Sequence, residues 1–138
     1  IALQSLDLEQ NLAFGIIEST FSSLSQVVFD YKKRLFRGFG IRFLSDYALA
    51  RAGEIGNFDP NEVNPTQSAT EIYQPVFMAH GKADRHIGIE NGRKNFEALS
   101  SEEKQFVAIP KAGHIDLIKF GGDVYRQQIK DFLESQVK

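Results

Sequence analysis

The chain has 138 residues, 42% of them hydrophobic and 12 of them Phe, enough apolar side chain for one core of ordinary domain size. Its 16 basic and 18 acidic residues are mixed along the length for a formal charge of -2, which excludes the basic footprint of a nucleic-acid or anionic-membrane binder. Cys is absent, which excludes a disulfide framework, a thiol nucleophile and a thiolate metal site, and no run reaches the roughly 18 to 20 apolar residues of a membrane span.

Ile1, Leu3, Leu6 and Leu8 suit one side of a mostly buried helix that has no capping residue ahead of it. Asn11 to Glu18 is an apolar run of strand length with both faces fit for burial, as a parallel strand requires. Glu18 is a polar residue at that strand's end or, alternatively, a group on the rim of a site. Ser19, Thr20, Ser22, Ser23 and Ser25 follow. None has Gly two residues before and two after, so they read as helix caps and not as nucleophiles. Val27, Val28, Tyr31 and Leu35 mark a helical face that stops around Arg37-Gly38-Phe39-Gly40, with Lys32-Lys33-Arg34 on the wet side. Ile41 to Leu49 is a second, shorter helix. Asn57 to Pro65 is loop chemistry, and without D-x-[DN]-x-[DN]-G it is a solvated loop and no calcium site.

Pro75-Val76-Phe77-Met78-Ala79-His80-Gly81 reads as a buried strand entered through Pro and left through Gly. Asp84 lies just past its carboxyl end, the place in a parallel sheet where catalytic groups collect. His86 is an exposed loop residue or a lining residue beside that acid. A helix over Ile89 to Leu99, with Ile89, Phe96 and Leu99 inward, leads to a last strand, Phe106 to Pro110, which delivers Ala112-Gly113-His114-Ile115-Asp116 to the same rim. Val124, Ile129, Phe132, Leu133 and Val137 mark a closing amphipathic helix with Asp123 near its start. The three His residues show no H-x-x-H spacing, so neither a metal nor a cofactor is expected.

A histidine that acts as general base needs a carboxylate behind it to hold its tautomer, and Asp84 and His114 are placed to form such a pair. Pro75 to Asp84 together with Gly113-His114 resembles the last two catalytic segments of the α/β-hydrolase family, whose order is Ser, then Asp, then His. The resemblance implies that Asp84 is the triad acid and His114 the base. It implies an α/β fold in three α/β/α layers, with three parallel strands, residues 1–138 forming part of a domain and 20–56 a helical cap insertion. A longer crossover with core aromatics is the alternative for that insertion. No G-x-S-x-G is present, so the chain resembles the carboxyl-terminal half of a serine hydrolase of a small ester or amide.

Four expectations accompany this reading. The isolated chain lacks turnover. Its partner is the amino-terminal half or a second copy, because the first strand has no Lys or Pro guarding its open edge. A cytoplasmic location goes with the absence of Cys and of a visible signal peptide. A small α/β binding protein without chemistry is the competing functional reading.

Overall fold

Three parallel strands form the sheet of the computed structural model, which describes residues 2–35 and 42–137: β1 (Gly15–Glu18), β2 (Val76–Gly81) and β3 (Lys104–Ile109), in the order β1-β2-β3. Every residue of β2 is buried, as expected of a central strand whose two faces are covered. Alternation divides its side chains. Val76 and Met78 meet Leu3 and Leu6 of α1 (Ala2–Leu8), Ala69 of α4 (Pro65–Ala69), Ile72 and Leu99, with Phe96 of α5 (Ile89–Ala98) against them. Phe77 and Ala79 meet Leu117, Tyr125 and Phe132 of α6 (Leu117–Gln136) on the other face. Helices therefore cover both faces, and the layers are α/β/α.

The expected strand bounds shift for reasons of pairing. Asn11 to Phe14 lie outside β1, because β2 begins only at Val76 and the register is Gly15↔Val76. Leu12 instead closes a turn onto the Glu9 carbonyl. β3 begins two residues earlier than its apolar run, at Lys104, whose ammonium reaches the Phe96 and Leu99 carbonyls at 3.2 and 2.6 Å and so closes the end of α5. The closing helix starts at Leu117, ahead of Asp123, and is kinked at Gly122, where φ is 57° and ψ is -147°. The kink turns the face: Val124 and Val137 are exposed while Tyr125 is 1% exposed. Leu8 is likewise exposed, while Leu3 and Leu6 of that expected stripe are buried and Ile1 lies outside the described residues.

Residues 22–64 form a second compact unit, distinct from the unit of 1–21 and 65–138. It holds α2 (Leu24–Leu35) and α3 (Arg42–Gly56). α3 runs well past Leu49 and ends at Asn57, whose left-handed φ of 50° suits a residue that tolerates that region. Phe58 then turns back to bond the Gly53 carbonyl at 3.0 Å. Tyr31 is exposed on α2, and the Arg42 guanidinium lies 5.4 Å from the centre of the Phe29 ring. The helix stop expected at Arg37 to Gly40 and the helix start at Ile41 lie outside the described residues. Among the described residues no helix is long and apolar enough to cross a membrane.

Candidate active site

The buried strand β2 ends in Gly81, and a turn closed by the Asp84 amide on the Gly81 carbonyl, 3.2 Å, aims the Asp84 side chain back into the protein. One carboxylate oxygen, Oδ1, accepts from the backbone amides of His86 and Ile87 at 2.8 and 2.9 Å. The other, Oδ2, lies 2.8 Å from Nδ1 of His114. The Asp84 side chain is wholly buried, whereas a third of the His114 side chain is exposed. Burial by itself raises the Asp84 carboxyl. The Ile87 amide, the His114 ring and the His86 amide outweigh it and hold the group below its ordinary value of 3.8. An ionised carboxylate can only accept, so His114 carries a proton on Nδ1. Nε2 has no hydrogen-bond partner among the described residues.

Two loops must stay close for this pair to form. The Lys82 and Ala83 amides donate to the Ile109 and Ala112 carbonyls at 3.0 and 2.9 Å, stitching the exits of β2 and β3 together. Gly81 permits it, since a Cβ there would overlap the Ala112 and Gly113 carbonyl oxygens. Lys111 turns the chain with φ 63°, and Asp116 Oδ1 accepts from the Gly113 amide at 2.5 Å, fixing the bend that carries His114.

The other residues singled out in the sequence take defined places. His86 uses its backbone to hold Asp84, and its ring lies edge-on to that of His114 with centroids 5.8 Å apart. Glu18, the exposed end of β1, accepts from the Tyr125 hydroxyl at 2.5 Å and ties α6 to that strand. Burial and then the Glu18 carboxylate push the Tyr125 hydroxyl well above its usual range, so it remains a donor. Ser19 follows β1 with a left-handed φ of 48°, and its buried hydroxyl has no partner among the described residues. Asn95 escaped notice in the sequence: fully buried on α5, it accepts from the Thr66 hydroxyl at 2.6 Å and donates to the Phe21 carbonyl at 2.8 Å. A lone amide in a polar helix carries no pattern that would have marked it. Among the described residues, no group of three or more His, Cys, Asp or Glu could hold a metal ion.

No protein-family profile matches the sequence. Among solved structures, the esterase PF2001 of Pyrococcus furiosus superposes with a TM-score of 0.68 over 97% of this chain and 49% of its own, at 15% identity. The monoacylglycerol lipase of Paleococcus ferrophilus superposes with a TM-score of 0.63 over 97% of this chain and 63% of its own, at 19% identity. This is an α/β-hydrolase fold. Within it, the parallel order β1-β2-β3 places Asp84 and His114 after successive strands. YfhR of Escherichia coli K12, described as uncharacterized, is 30% identical over 121 residues, which are 87% of this chain. The chain spans 36% of the length of the curated relatives it matches.

Proposed function

We propose that the chain supplies the acid, Asp84, and the base, His114, of a serine hydrolase that cleaves a small ester or amide, with the nucleophile on a segment outside these 138 residues. The 2.8 Å approach of His114 Nδ1 to a buried carboxylate, with Nε2 unpartnered, carries this reading. In the reaction His114 Nε2 takes the proton of the nucleophilic hydroxyl as it attacks the acyl carbon, then returns it to the leaving alcohol or amine. Asp84 stays ionised throughout and stabilises the imidazolium that forms. The esterase and lipase among the structural neighbours support an ester as substrate. The helical unit of 22–64, inserted between β1 and β2, is read as the cap of such an enzyme.

Three tests follow from the separation of nucleophile and base. The purified 138-residue chain is expected to hydrolyse p-nitrophenyl acetate no faster than the blank, and a fluorophosphonate is expected to leave Ser19, Ser22 and Ser23 unlabelled. Stoichiometric labelling of any of them would place the nucleophile inside the chain and overturn the reading. Coding DNA upstream of Ile1 is expected to specify G-x-S-x-G on a strand-to-helix turn.

The same reading concerns association. Among the described residues β1 pairs with β2 along one edge only, and its other edge is proposed to be covered by the amino-terminal segment or by a second copy. Light scattering at micromolar concentration is expected to give a species well above 15.5 kDa. A folded species of that mass would contradict the proposal.

A further inference from the structure

We infer that His80 is a positioning residue that holds the Asp84 carboxylate and its loop in register for His114; this rests on the proposed acid and base. His80, the second-to-last residue of β2, is completely buried. Its Nε2 lies 2.9 Å from the Ile87 carbonyl and 3.3 Å from Asp84 Oδ2. A carbonyl only accepts, so Nε2 carries a proton, which bonds Ile87 and turns the positive edge of the ring toward Oδ2. The Ile87 residue is therefore held on both sides: its amide donates to Asp84 Oδ1 at 2.9 Å, and its carbonyl accepts from His80. Without the His80 donor, the carbonyl is left unsatisfied, and the amide that fixes Oδ1 loses its anchor.

The other nitrogen, Nδ1, is buried with no partner among the described residues. An orphaned polar atom costs free energy, and a Phe ring would fill the same space without one. Space-filling therefore does not account for His at this position, whereas the Nε2 donor does. The room for the ring is supplied by Gly92 on α5, where a Cβ would stand 2.5 Å from His80 Nδ1.

Proton and nitrogen spectra of the 138-residue chain test this without any need for turnover. The readouts are the His114 Nδ1–H resonance, shifted downfield by its bond to a carboxylate, and the exchange rate of the Ile87 amide. His80→Phe is expected to abolish the downfield resonance and to speed Ile87 exchange about tenfold, the worth of one lost hydrogen bond. His80→Gln, whose amide restores a donor near the Nε2 position, is expected to keep both at wild-type values. A space-filling role predicts the reverse, with Phe neutral and Gln disruptive, and that result overturns the inference. Should His80→Phe not fold, His80→Gln decides alone: a retained resonance supports the positioning role and a lost one overturns it. Absence of hydrolysis by the longer protein would remove the hydrolase reading and leave the resonance result intact.

Discussion

In the longer, nucleophile-bearing protein that the proposed function requires, Asp84→Asn is expected to lower kcat about 10⁴-fold, the loss seen when a triad histidine is forced into the wrong tautomer. The geometry gives the reason. Oδ1 already receives two backbone N–H groups, from His86 and Ile87, so the amide of Asn keeps its oxygen there and turns its NH₂ toward His114 and His80. His114 Nδ1 then faces a donor where it had an acceptor 2.8 Å away. The ring responds by moving its proton to Nε2, and Nε2 can no longer take a proton from a hydroxyl. The same substitution changes the acid limb of stability. Because folding holds the Asp84 carboxyl below 3.8, its contribution is complete above its unfolded value and disappears as pH falls through the folded one. Urea unfolding of the 138-residue chain at pH 7 and pH 3 is expected to show a smaller drop in stability for Asp84→Asn than for the parent. An equal drop, or kcat within tenfold of the parent, would sink the assignment of Asp84.

The chain announced some of this site and concealed the rest, and the division follows the range of the interactions. The positions of Asp84 and His114 past two strand ends were legible because a buried parallel strand leaves a mark of its own, an apolar run with a Gly or Pro boundary, and each residue follows such a run. The bonding roles of His80, Asn95 and Asp116 left no mark. Their roles are bonds to Ile87, to Thr66 and Phe21, and to Gly113, and nothing in composition distinguishes such a partner from an ordinary polar residue. The ends of elements were obscured for a related reason. Lys104 lies outside the apolar run of Phe106 to Pro110 and joins the strand as its ammonium caps the α5 carbonyls, and α3 continues past Leu49 through Arg51 and Glu54, which pair with each other at 2.6 Å on an exposed face. Val124 was placed inward by a spacing that assumes an uninterrupted helix, and the kink at Gly122 rotates it out.

Gly81→Ala is expected to damage both stability and the site, and more severely than its small volume suggests. The added Cβ overlaps the carbonyl oxygens of Ala112 and Gly113 and stands 2.7 Å from the Ala112 carbonyl carbon. These are backbone atoms, so no side chain can swing aside, and the two loops must part. Parting them strains the bonds from Lys82 to Ile109 and from Ala83 to Ala112 and should cost about 1 to 3 kcal/mol, the usual range for overpacking a tight site. It also draws His114 away from Asp84, and in the proposed acid and base a displacement of about 1 Å is expected to lower turnover about 10²-fold. Gly113→Ala provides the comparison. There the nearest atom to the new Cβ is Asp116 Oδ1 at 3.3 Å, which can yield by a small side-chain adjustment. Urea unfolding of the two variants, with the His114 Nδ1–H resonance recorded on each, should therefore show a loss of stability and of the resonance in Gly81→Ala that Gly113→Ala largely escapes. Equal behaviour of the two would show that the close approach of the β2 and β3 exits is not what positions His114.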